Sequence, residues 1–155
     1  MRYLHLLIFI LIIGCNDVNE AKLKIVFLGD SITEAGVYDK DVGIENNGEL
    51  IYPKYTGFIT FLGDSVSKDT ELIGKGISGD KVSDLLTRYR KDVIDLNPDI
   101  VFIYIGINDV WHKYDFGTGS DIDLYEDGLR QIISELQKIG SKVVLCTPTV
   151  IGENY

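Results

Sequence analysis

Only two of the 155 residues are cysteine, three are proline and two are histidine, and Lys plus Arg number 15 against 24 Asp plus Glu. Each scarcity closes off a class of protein. Two cysteines can make one bridge at most, so no disulfide framework holds this fold. Scarce proline, with no low-complexity stretch and 45% hydrophobic residues, argues against a fibrous or disordered chain. What remains is one domain's worth of core-forming material, with no internal repeat at a solenoid period. A net charge of −9 leaves no basic face to displace counterions from phosphates, which argues against nucleic acid as a partner. The longest basic feature, Arg88-Tyr89-Arg90-Lys91, runs straight into Asp92 and reads as the solvated side of a helix. The apolar run at residues 3–13, broken by His5, is too short to span a bilayer as a helix.

That run does suit the hydrophobic region of a signal peptide, with Arg2 as its positive end. It closes on Ile12-Ile13-Gly14-Cys15 before a polar tail, which resembles a bacterial lipobox. The resemblance implies cleavage before Cys15, a diacylglyceryl anchor on its sulfur and a location in the bacterial cell envelope. An ordinary signal peptide, with Cys15 incidental, is the alternative. The expected organisation is a lipoprotein signal peptide at 1–14, an anchor linker at 15–22 and a single domain over 23–155. Cys146, inside the apolar run Val143-Val144-Leu145-Cys146, reads as a small buried hydrophobe.

Continuous apolar runs mark strands covered on both faces, and they predict strands at 23–28, 71–73, 100–105 and 142–146. Three- and four-residue apolar spacing predicts helices over 55–62, 82–96 and 124–139. Asn97-Pro98 stops the second helix and Gly140 the third. This alternation predicts an α/β three-layer domain around a parallel sheet, with right-handed crossovers.

Parallel sheets bind ligands beyond the carboxyl ends of their strands. The first strand is followed by Gly29-Asp30-Ser31, the second by Gly76-Ile77-Ser78-Gly79-Asp80 and the third by Gly106-Ile107-Asn108-Asp109. Three successive strands thus deliver glycine-bearing polar turns to one rim. Acyl transfer from an ester needs a nucleophile, donors for the developing oxyanion and a base. Ser31 can supply the hydroxyl and its own N–H at a helix start. Gly79 can supply a second backbone N–H with no Cβ in the way, and the Asn108 carboxamide a third donor. Asp30 reads as an acceptor that fixes the Ser31 turn.

These three blocks, in this order, resemble the SGNH (GDSL-type) hydrolase family over residues 23–150. The resemblance implies a flavodoxin-like sheet of five strands in order 2-1-3-4-5, with Ser31 as nucleophile and Ser31 N–H, Gly79 N–H and Asn108 as the oxyanion hole. It further implies a metal-free, cofactor-free ester hydrolase acting on acylated sugars or lysophospholipids. The family's last block, Asp-x-x-His after a fifth strand, has no match. The chain is therefore expected to lack the fifth strand, the last helix and the general base, and to be inactive or weak. Asp109-Val110-Trp111-His112 spells the same pattern but overlaps the third block, which leaves Asp109 and His112 as pocket candidates.

Other features read as bland. Gly63-Asp64-Ser65 follows a helical pattern and reads as a helix end. Gly74-Lys75-Gly76-Ile77-Ser78-Gly79 matches a dinucleotide fingerprint but does not follow a first strand. No Gly-x-Ser-x-Gly elbow occurs, against the α/β-hydrolase fold. Asp39, Asp41, Glu45, Asp121 and Asp123 read as loop and helix-start charges. Trp111, Tyr52 and Tyr55 are candidates to line an acyl or sugar pocket. Two further readings stay open: a non-catalytic relic that binds acyl or glycan ligands, and a flavodoxin-like nucleotide or flavin binder.

Overall fold

The computed structural model describes residues 22–149. The signal peptide and Cys15 lie outside the described residues, so the anchor expectation has no structural counterpart here. Within them the elements run β1 (Leu23–Gly29), α1 (Ser31–Ala35), β2 (Ile44–Asn46), β3 (Glu49–Ile51), α2 (Phe58–Gly63), β4 (Thr70–Gly76), α3 (Val82–Asp92), β5 (Ile100–Tyr104), α4 (Ile107–Asp115), α5 (Ile122–Lys138) and β6 (Lys142–Leu145).

The main sheet has the order β4-β1-β5-β6, and every pairing in it is parallel. Counting its strands along the chain gives 2-1-3-4, the first four places of the expected flavodoxin-like order. Strand alternation sorts the side chains onto two faces. Val26, Leu28, Val101 and Ile103 point to one face and pack against α3 (Val82, Leu85, Tyr89) and α5 (Leu129, Ile132, Leu136). Each is almost wholly excluded from water, and each such side chain contributes about 1.5–3 kcal/mol. On the opposite face Phe27 stacks on Phe102, ring centroids 5.0 Å apart, and meets Phe58 of α2 edge-on at 5.8 Å.

Several local expectations need correction. The second helix stops at Asp92 and gives way to a single 3-10 turn at Ile94–Leu96, closed by Asn97 in the left-handed conformation before Pro98. The first starts at Phe58 rather than at Tyr55. Residues 107–115, read as the continuation of a polar turn, form α4. Glu45 belongs to a β2–β3 hairpin that the sequence reading passed over. The stretch Arg88-Tyr89-Arg90-Lys91 is a solvated helix side only in part: Arg90 and Lys91 are exposed, but Tyr89 is 1% exposed and the Arg88 side chain 13%. Cys146 is half-buried rather than buried.

Candidate active site

The site assembles where β1, β4 and β5 end. Gly29 pairs with Gly76 on one side and with Tyr104 on the other, so the three turns that follow leave the sheet side by side. Both glycines are required by close approach: a Cβ on Gly76 would strike the backbone nitrogen of Glu34, and one on Gly29 the carbonyl of Tyr104. At Gly76 helix α1 therefore seats directly on strand backbone.

Ser31 is the first residue of α1, and Asp30 caps that helix, its Oδ1 accepting from the Ile32 N–H at 3.0 Å. Asp30 is 1% exposed. Burial pushes its carboxyl above the usual aspartate range, against the opposing pull of that hydrogen bond. Gly79 lies in the β4–α3 turn with φ +85°, a conformation costly for any residue with a Cβ. No atom lies within 4 Å of where its Cβ would stand, so space is open above it. Asn108 is the second residue of α4 and is 4% exposed.

Hydrogen bonds lock these turns to one another. The Ile77 N–H donates to the Gly29 carbonyl at 3.1 Å. The Ser78 N–H donates to the Glu34 carboxylate at 3.0 Å, and the Ser78 hydroxyl donates to the same oxygen. Asn108 Nδ2 donates to the Asp80 carbonyl at 2.9 Å, which leaves that amide's second N–H for another acceptor. Both Asp109 carboxylate oxygens accept from the Val82 N–H at the start of α3, at 3.1 and 3.2 Å. Arg88, from the second turn of α3, extends its guanidinium beneath all of this. Nε donates to Asp80 Oδ2 at 2.7 Å, Nη1 to the Lys75 carbonyl at 3.1 Å and to Asp92 Oδ2 at 2.8 Å, and Nη2 to the Gly29 carbonyl at 2.9 Å.

Asp109 and His112 do not act as a pair. Asp109 is spent on helix α3, and the His112 ring, one turn beyond Asn108, packs edge-on against Phe116 at 5.2 Å. No hydrogen bond joins the two among the described residues. Asp109 does border a cavity of about 340 Å³ with Lys113, Ser120 and Tyr125. A larger cavity, about 540 Å³, opens at Ser31 and is bordered by Tyr38, Pro53, Lys54, Tyr55 and Phe58. Of the three aromatic candidates Tyr55 alone lines it; Tyr52 and Trp111 are exposed elsewhere. Among the described residues no group of three or more His, Cys, Asp or Glu is placed to hold a metal. Sequence reasoning missed Arg88 and Glu34. For Arg88 a signal existed: Leu85, Arg88 and Asp92 share one helix stripe, with the last two at the four-residue spacing of an ion pair.

Residues 27–155 match the model of the GDSL-like Lipase/Acylhydrolase family. The chain is 35% identical over 137 residues to an acetylxylan esterase of Geobacillus stearothermophilus, covering 84% of this chain and 62% of that protein. It is 24% identical over 155 residues to the uncharacterized lipoprotein YqeF of Bacillus subtilis (strain 168), covering 98% of this chain and 60% of that protein. Among solved structures, the acetyl xylan esterase AlAXEase superposes with a TM-score of 0.68 at 41% identity, over 84% of this chain and 60% of that one. The chain thus spans about three fifths of the length of the relatives it matches. A match over most of the described fold, carrying all three rim turns, leaves one conclusion: this chain belongs to the GDSL-like lipase/acylhydrolase family.

Proposed function

We propose that the chain is the larger part of a serine hydrolase of carboxylic esters, with Ser31 as nucleophile and the N–H groups of Ser31 and Gly79 and the Asn108 carboxamide as oxyanion donors. The observation that carries this reading is the side-by-side exit of three polar turns from β1, β4 and β5 onto one rim, hydrogen-bonded to one another. Ser31 Oγ forms a bond to the ester carbonyl carbon while its proton passes to a base, and the carbonyl electron pair moves onto oxygen. Three fixed donors stabilise that charge, about 3 kcal/mol for each. Collapse releases the alcohol and leaves Ser31 acylated; water then cleaves the acyl bond and restores the hydroxyl.

The base is the part the described residues do not supply. His112 is their sole histidine, and it packs on Phe116. The second reading is a chain that binds ester ligands without turning them over. Among substrates, acylated sugars fit better than lysophospholipids. The cavity at Ser31 carries the exposed ring of Tyr55 and the Lys54 side chain, a surface on which a sugar can stack and hydrogen-bond. The likeness to acetylxylan esterases points the same way.

The test is fluorophosphonate labelling of the full-length gene product with peptide mapping. Modification of Ser31, lost in Ser31→Ala, is the expected result; labelling that survives Ser31→Ala overturns the assignment. Location is a separate proposal, an envelope protein anchored through Cys15, supported by the Gly14-Cys15 junction and the likeness to a lipoprotein. Metabolic labelling with radioactive palmitate should mark the wild type and not Cys15→Ala. Equal labelling of both would remove the anchor.

A further inference from the structure

Among the described residues Arg88 is the one cation whose hydrogen bonds tie the ends of β1 and β4 and the turn before α3 together beneath the rim. Its guanidinium meets the last carbonyl of β1 at Gly29, the Lys75 carbonyl near the end of β4 and the Asp80 carboxylate just past Gly79. Asp92, one turn further along α3, holds the fork from behind. The guanidinium is planar, always charged and rigid, so four acceptors around it fix their own separation. Two of those acceptors flank the groups that matter. Gly29 stands two residues before Ser31, and Asp80 directly follows Gly79.

We propose that Arg88 is a positioning residue, the tie that holds the Ser31 turn and the Gly79 turn at a fixed spacing so that their two N–H groups face one oxygen. The proposal rests on the reading of Ser31 and Gly79 as groups of the reacting site. Arg88 itself touches no substrate, because its side chain is 13% exposed and every polar contact it makes runs to the protein. A lysine at this position keeps the charge but not the fork. It can meet Asp80 or Gly29, not both with Lys75 as well.

Amide hydrogen exchange on the full chain tests the tie without requiring turnover. In Arg88→Lys and Arg88→Gln, exchange in the peptides spanning 29–34 and 76–82 should accelerate together, about tenfold, the scale of losing hydrogen bonds to a charged group. The peptide spanning 129–136 of α5 should keep the wild-type rate. Unchanged exchange in both turns, or full protection in Arg88→Lys, overturns the proposal. Where an Arg88 variant does not fold, Asp92→Asn loosens the fork without removing it and should give a smaller acceleration in the same two peptides; no acceleration there is equally fatal. On 2-naphthyl acetate, kcat should fall about tenfold with KM held within about twofold, since only the spacing of the donors has changed. A rise in KM at constant kcat would make Arg88 a binding residue instead. Ser31→Ala separates this proposal from the one it rests on: residual turnover in Ser31→Ala removes the nucleophile, whereas the exchange result for Arg88 stands or falls by itself.

Discussion

At the scale of single residues, the donors and the buried acids beneath them make distinct claims. Asn108, the proposed third oxyanion donor, has one N–H on the Asp80 carbonyl and one to give, so Asn108→Ala should cut the rate of ester turnover by about 10²–10³, read by steady-state hydrolysis of an activated acetate. Gly79→Ala places a methyl in open space but forces an L-residue to φ +85°. The cost is about 1–2 kcal/mol of stability, measurable by urea unfolding. Asp30 and Asp80 both have carboxyls raised by burial, Asp80 in spite of its Arg88 partner. A raised folded value means the folded protein holds the proton more tightly than the unfolded chain. The resulting stability is therefore full below the ordinary value of 3.8 and lost as pH climbs through the raised one. Asp30→Asn keeps an acceptor for the Ile32 N–H and removes that loss, so the variant should melt higher than wild type at about pH 7 and lose the advantage in acid. A lower melting temperature at both would show that the charge itself holds the turn.

At the scale of elements, two packing effects compete inside α5. Gly128 lies in the helix interior, where alanine is favoured by about 1 kcal/mol. A Cβ there would stand 2.7 Å from Val82 Cγ2, the rigid side chain that opens α3. Overpacking costs about 1–3 kcal/mol, so Gly128→Ala should lower the melting temperature despite its better propensity; a rise would mean that α3 and α5 can slide apart. The four main strands and three of the helices were legible because periodicity records burial, and burial is what the sheet imposes. The hairpin was legible too and was passed over: Asn47-Gly48 is a strong hairpin pair between Ile44-Glu45-Asn46 and Glu49-Leu50-Ile51, and both of its residues have positive φ. Helix α4 was hidden for a different reason. Its first turn carries the polar residues Asn108 and Asp109 at buried positions, so the chemistry of the site overrides the apolar period. Arg88 was misread because composition records a charge and not the carbonyls within its reach.

At the scale of the whole molecule, β6 pairs on one side with β5 and on the other with nothing among the described residues. Its Val144 and Leu145 are 40% and 49% exposed. An open apolar edge recruits other strands. Residues 16–155 in isolation should therefore scatter light increasingly with concentration, and Val144→Lys should reduce it; a monomer at every concentration would refute this. The rim where β1, β4 and β5 end behaves otherwise. Helix α1 sits on bare strand backbone at Gly76, and its Thr33 side chain packs against Gly29 beside it. Ser31, the proposed nucleophile, is mounted there with no hinge and no loose tether. It cannot soften ahead of its support, so heat should silence the serine and melt the sheet in a single event.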